Sequence, residues 1–243
     1  MKATRIIALA ILFFTCRQQP GESTGDYPQK LFNGRDLSGW HIKTTPADSV
    51  KNYWYVENSW IVANSTGDSS HDYIWLLTDM EYGDFELILK FLPEANTTGN
   101  SGIQIRSRYD DGIFWLNGPQ IDIHPPDPWR TGFVWDETKG NQRWIYPDLP
   151  DTSWVNPGMR TTPFDFYYFP IDTVWNEMKI RAEGTSIRAW LNGVQITDLQ
   201  GEGILNDSLH LAGRVGMKGH IALQIHSGDQ VHMRFKDIDL VEL

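Results

Sequence analysis

Three stretches of the chain alternate residue types without a break. They are Gly102-Ile103-Gln104-Ile105-Arg106, Pro119-Gln120-Ile121-Asp122-Ile123-His124 and His220-Ile221-Ala222-Leu223-Gln224-Ile225-His226. A period of two marks a β-strand with one face in a core, because successive side chains point to opposite sides. The isoleucines and Leu223 are assigned to the core face. The other face then carries Gln104, Arg106, Gln120, Asp122, His124, His220, Gln224 and His226. A solvated strand face is ordinarily Thr, Lys, Ser or Glu. This one is rich in planar groups with fixed donors and acceptors, which suits a polyhydroxylated ligand. One such strand would be read as an ordinary solvated face; three in one chain point to a site.

The same periodicity runs through the rest of the chain. Phe85, Leu87, Leu89 and Phe91 face inward from one strand, with Glu86 and Lys90 on its outer side. Glu177 to Ala182 forms another. Ser186 to Leu191 leads into Asn192-Gly193, a strong hairpin signal, and Val194 to Thr197 returns. In the last strand, Val231 to Val241, the apolar parity shifts between Phe235 and Ile238, which places a bulge near Asp237. No long amphipathic helix and no repeat is visible. Many short strands over residues 31–243 predict an all-β sandwich of two antiparallel sheets. Trp40, Trp54 and Trp60 are assigned to its core. His41, His71, His210 and His232, which lack a nameable partner, are assigned to the surface.

Residues 1–15 read as a secretion signal, with Lys2 and Arg5 ahead of the apolar run Ile6 to Phe14. That run is too short for a stable membrane span. Cys16, the only cysteine, follows directly, which marks a lipoprotein processing site, and residues 16–30 read as a polar tether. The expected location is therefore outside the cytoplasm, in the periplasm or at the cell surface, with membrane contact only through the lipid on Cys16. A lone cysteine excludes a disulfide within the chain. The formal charge is −10, and removal of Lys2 and Arg5 leaves 19 basic against 31 acidic residues, or −12. No basic cluster survives, which argues against a nucleic-acid partner.

Nine of the thirteen prolines fall between Pro119 and Pro170, and Trp115, Trp129, Trp135, Trp144 and Trp154 lie in or beside that segment. Proline-rich segments cannot be central strands, and long irregular loops in compact domains usually carry function. Tryptophan in such a loop can stack on the apolar face of a sugar ring.

Several segments, in order, carry a family resemblance. They are Leu31-Phe32-Asn33-Gly34-Arg35-Asp36-Leu37-Ser38-Gly39-Trp40, Trp54-Tyr55-Val56-Glu57-Asn58, Tyr82-Gly83-Asp84-Phe85-Glu86-Leu87, Asn100 to Arg106, Trp190-Leu191-Asn192-Gly193-Val194 and Leu223-Gln224-Ile225-His226-Ser227-Gly228. From about Leu31 to Leu243 the chain resembles the 3-keto-disaccharide hydrolase family, also described as 3-keto-α-glucoside 1,2-lyase/3-keto-2-hydroxy-glucal hydratase. The resemblance implies a concanavalin-like jelly-roll sandwich and a carbohydrate substrate. Many members carry a Glu two residues before the glutamine matching Gln120; here that place is Gly118. The chain instead resembles a branch with Gly-Pro-Gln, an acid at Asp122, and a later aromatic strand ending in a Glu, here Glu137.

A ketone at C3 of a sugar acidifies the C2 hydrogen, so a base can start elimination of the C1 substituent. The chemistry needs a base near C2, a cation near the oxyanion and an acid near O1. Asp122 is the first candidate base and Glu137 the second. Arg106 is the candidate for the oxyanion, and His226 or His124 for the acid. Gln104, Gln120, His124, Trp135 and Gln224 are the candidate substrate contacts. A divalent metal held by Asp122 with His124 or His226 is an alternative, although next-but-one residues of a strand stand about 7 Å apart. Two other functions remain open: a two-carboxylate glycosidase built on Asp122 and Glu137, and a lectin-like module without catalysis.

Overall fold

Phe85, Leu87, Leu89 and Phe91 are all fully buried in the computed structural model, as their spacing predicts. The structure is described for residues 28–243. The expected signal segment, Cys16 and most of the tether lie outside the described residues. The strands, in chain order, are β1 (Gln29–Lys30), β2 (Trp40–Lys43), β3 (Trp54–Glu57), β4 (Trp60–Asn64), β5 (Ile74–Thr78), β6 (Phe85–Pro93), β7 (Ser101–Asp110) and β8 (Trp115–Asn117). There follow β9 (Pro119–Ile123), β10 (Val134–Asp136), β11 (Arg143–Tyr146), β12 (Asn176–Glu183), β13 (Ser186–Leu191), β14 (Val194–Gln200), β15 (His220–Ile225) and β16 (His232–Glu242).

They form two sheets. The first runs β14-β13-β12-β6-β16-β4-β3, with β1 added to β16. The second runs β11-β10-β9-β7-β15-β5-β2, with β8 added to β7. The ladders are antiparallel throughout. Between the sheets lies one continuous core, into which β7, β9 and β15 send Ile103, Ile105, Ile121, Ile123, Ile221, Leu223 and Ile225. Each fully buried aliphatic side chain of this kind stabilises the fold by about 1.5–3 kcal/mol.

Two local expectations hold. Asn192 (φ 50°) and Gly193 (φ 82°) both adopt the left-handed conformation of a two-residue hairpin turn. The β6–β16 register breaks between Lys236 and Asp239, with Asp237 at φ 48°. One helix lacked a periodic signal in the sequence: the six-residue α1 (Ser208–Gly213), capped by the Asp207 carboxylate on the Leu209 and His210 amides.

The outer face of the second sheet positions everything that follows. It is not an ordinary solvated face. Trp75, Leu77 and Ala222 on this side are covered by Leu116, because β8 folds back over the sheet. The proline-rich segment closes the other end with a second aromatic cluster around Phe133, Trp144 and Val155. Polar residues on this face are therefore buried, and a buried polar group without a partner is costly.

Candidate active site

A cavity of about 130 Å³ opens on that outer face, above β9, β10 and β15, lined in part by Gln120, Asp122, Trp135, Glu137 and His226. Strand pairing explains the convergence. Trp135 stands opposite Gln120 in the β9–β10 ladder, and Gln120 stands opposite Gln104 in the β7–β9 ladder. Gln120 lies flat over Gly102: an ideal Cβ there would meet the Gln120 side chain at 2.5 Å. Absence of a side chain at residue 102 makes the room.

Glu137 is the most perturbed acid in the cavity. Its main chain is held on both sides: its N–H donates to the Gly118 carbonyl (3.0 Å), and its carbonyl accepts from the Trp115 indole (2.7 Å). The residue is 4% exposed. Burial pushes its carboxyl up to about 7, against partial relief from His226, Gln142, Trp135 and Gln224. At neutral pH it is divided between acid and base.

His226 sits just beyond the end of β15. Its Nδ1 faces two acceptors, the Ser227 carbonyl (3.0 Å) and Asp229 Oδ2 (3.3 Å), so Nδ1 carries a proton. Its Nε2 meets the Tyr73 hydroxyl at 3.0 Å. Burial disfavours the charged ring, but Asp229, the Ser227 carbonyl and Glu137 outweigh it and raise the pKa. Asp229 is held in turn by the Asn100 amide at 2.9 Å. Burial, with the charges of Glu137, Asp72 and Asp229, raises the Tyr73 phenol, which stays neutral and able to donate.

Asp122 is differently occupied. Its Oδ2 accepts from Arg130 Nε at 2.5 Å, and both residues line the cavity. The arginine comes from the 3₁₀ turn Pro128–Arg130 directly after β9. The hydrogen bond uses Nε and leaves the Nη protons for a ligand.

Four expected contacts do not line the cavity. Arg106 does not reach the cavity. It is the extra residue of a bulge, at φ 49°, where the β7–β15 register shifts between His220 and Ala222. The bulge turns its side chain away from the Gln104 face. The buried guanidinium instead donates to the carbonyls of Gly83 (2.7 Å), Gly184 (2.5 Å) and Gly216 (3.3 Å) and pairs with Asp84 (2.7 Å). It ties the second sheet to turns of the first. Gln104 donates to the Leu116 carbonyl (3.1 Å), anchoring β8, and does not line the cavity. His124 accepts at Nδ1 from the Asp127 amide (3.2 Å) and braces the turn that carries Arg130. Gln224 lies below the cavity, near enough to favour the charged form of Glu137, but both its amide atoms lack a partner of good geometry.

Of the histidines assigned to the surface, His71 and His210 are buried. His210 is the more consequential. Its Nδ1 meets Asp207 at 2.9 Å, and its Nε2 lies 3.2 Å from Asp136 and 3.3 Å from the Thr138 hydroxyl. It therefore braces both neighbours of Glu137 from behind. Trp60 is half-buried and packs edge-on against Trp175.

The residues that sequence reasoning missed are Tyr73, Asn100, Arg130, Gln142 and Asp229. Asn100 begins one of the segments that carried the family resemblance, and Asp229 follows another; the rest had no periodic signal. Around the cavity, Asn100 Oδ1, Gln120 Oε1 and both amide atoms of Gln224 are buried without a hydrogen-bond partner. Among the described residues, no group of three or more His, Cys, Asp or Glu side chains is close enough to hold a metal ion. With Asp122 engaged by Arg130, the donor set does not fit the divalent metal considered from the sequence.

The 3-keto-alpha-glucoside-1,2-lyase-like domain model matches residues 27–241. The chain belongs to this family. Among solved structures it is similar to two of a "putative glycosyl hydrolase" from Parabacteroides distasonis. Both are 20% identical. One has a TM-score of 0.53 and covers 88% of this chain and 92% of its own; the other has 0.54 and covers 90% and 100%. A Bacillus subtilis protein of galectin-like fold is 12% identical with a TM-score of 0.55, covering 89% of this chain and 94% of its own. At these identities the likeness speaks to the fold, which is the concanavalin-like sandwich expected. None of the curated proteins matches the chain.

The departure from the family pattern at Gly118 has a steric cause. Gly118 adopts φ +128°, and a Cβ there would meet Ser107 Oγ at 2.3 Å. No acid fits at that position. Glu137 stands across the ladder, its main-chain N–H on the Gly118 carbonyl.

Proposed function

We propose that the protein cleaves 3-keto-glucosides by elimination across C1 and C2, with Glu137 as the base. The observation that carries this reading is a buried carboxyl with its pKa pushed up to about 7, in a cavity lined by the unpartnered amide oxygens of Asn100 and Gln120. A general base works best with a pKa near the operating pH. The orphaned amide oxygens of Asn100 and Gln120, which line the cavity, are the kind that sugar hydroxyls satisfy, and the family supplies the substrate class.

Glu137 removes the C2 proton. The C–H electron pair moves toward the C3 carbonyl, giving an enolate whose oxyanion the Arg130 guanidinium stabilises. Asp122 holds that guanidinium in place, so Arg130 fills the role first assigned to Arg106. The enolate collapses to a C1–C2 double bond, the C1–O1 bond breaks, and the leaving oxygen takes a proton from His226. The protonated histidine is supported by Asp229 and can be resupplied through Tyr73. Addition of water to the resulting 2-hydroxyglucal completes a net hydrolysis.

The test offers matched 3-keto and ordinary α-glucosides deuterated at C2. Turnover of the keto substrate with loss of deuterium to solvent is expected, and Glu137→Gln should lower the rate about 10²–10⁴-fold. Full retention of deuterium in the released sugar would replace elimination with direct two-carboxylate hydrolysis. Sugar binding with no turnover of either substrate would leave a lectin-like module.

A further inference from the structure

The cavity is small, about 130 Å³, against about 300–1,000 Å³ for pockets that enclose drug-sized ligands. A substrate with its reacting ring inward therefore extends across the mouth. Trp154 is there. It lines the cavity edge and is 61% exposed, the most exposed aromatic of the site. It is also held firmly. Trp135 supports it at 5.6 Å between ring centroids and Trp144 at 5.4 Å, while the Arg130 guanidinium lies 5.9 Å from its ring. An indole fixed against two others but open to solvent keeps apolar area that a ligand can cover.

We infer that Trp154 is the platform for the aglycone. This rests on the reading of the cavity as a 3-keto-glucoside site and adds its leaving-group specificity. The reacting ring lies inward, with C1 and C2 between His226 and Glu137, so the C1 substituent points out toward the mouth. Trp154 offers it a flat apolar surface with no hydrogen-bonding pattern to match. The fitting class is any ring with an apolar face, such as a second pyranose or an aromatic ring. Short alkyl aglycones gain nothing from it. The protein should thus tolerate many ring aglycones and discriminate by stacking area.

The test uses the Glu137→Gln protein, so that ligands are bound and not consumed. Titration calorimetry compares methyl and 4-nitrophenyl 3-keto-α-glucosides on this protein, with and without Trp154→Ala. The nitrophenyl ligand should lose about 5–10-fold in affinity on removal of Trp154, and the methyl ligand less than about twofold. Trp154→Phe should restore most of the nitrophenyl affinity, which separates lost stacking from a collapsed wall. Equal losses for both ligands, or no loss for either, would overturn the inference while leaving the cavity assignment intact. If the methyl ligand fails to bind the parent protein, the cavity assignment itself fails, and the aglycone platform with it.

Discussion

Glu137→Gln should make the protein more stable, by an amount that depends on pH. In the unfolded chain this carboxyl titrates at 4.5; in the fold, burial holds it up to about 7. Below about pH 4.5 it is protonated in both states and contributes nothing. Between these values the unfolded chain releases the proton while the fold retains it, so stability falls as pH rises. Above about pH 7 the cost is constant. Each pH step between the two values is worth about 1.36 kcal/mol, giving a total on the order of 3 kcal/mol. A glutamine of the same shape carries no such cost. Urea unfolding of both proteins at pH 5 and pH 8 tests this, read as midpoint shifts at unchanged slope. The variant should match the parent within about 1 kcal/mol near pH 5 and exceed it by about 3 kcal/mol at pH 8. A gap that does not change with pH, or a variant less stable at pH 8, would refute the claim that the site keeps a carboxyl against its solvation preference. Stability given up for function is common at active sites.

Two further outcomes test the supports of the site. His210→Ala removes the buried imidazole that lies 3.2 Å from Asp136 and 2.9 Å from Asp207 and should cost about 1–3 kcal/mol in urea unfolding; no measurable loss would show that His210 does not brace the strand end. Arg106→Leu leaves three buried carbonyls without their donor and Asp84 with only the Gly184 N–H, so stability should fall by about 3–5 kcal/mol. Its kcat/KM per folded molecule on the keto substrate should stay near the parent value. A large fall in activity with stability intact would return Arg106 to the chemistry.

The two bulges of the sandwich show where strand periodicity can be read and where it cannot. In β16 the apolar residues Phe235 and Ile238 stand on either side of the irregularity, so the parity break is visible in the sequence. In β7 the extra residue is Arg106 itself, and Ser107 and Arg108 follow it. No core residue lies beyond the bulge to reveal that the faces have exchanged. Alternation therefore placed Gln104, Gln120, Asp122 and Gln224 on one face but carried Arg106 one step too far. The helix α1 escaped notice for a related reason: six residues make fewer than two turns, too few for an apolar stripe, and its signal was only the Asp207 cap. His210 was misplaced with it.

The order of Asp122 and Glu137 was beyond the sequence for a different reason. Periodicity assigns a side chain to a face but does not say what surrounds it there. Both acids reach the same cavity and both are buried. They are separated by partners that come from irregular segments. Arg130, eight residues after Asp122 and around a proline turn, gives that carboxylate a cation at 2.5 Å. Such a partner commits the acid to holding the arginine. Glu137 meets aromatic walls and amides, with a histidine that already leans on Asp229. Desolvation dominates there and leaves the proton easy to exchange at neutral pH. The two acids are therefore told apart by their partners, and Arg130 and His226 are brought to them by loops whose course no alternation pattern encodes.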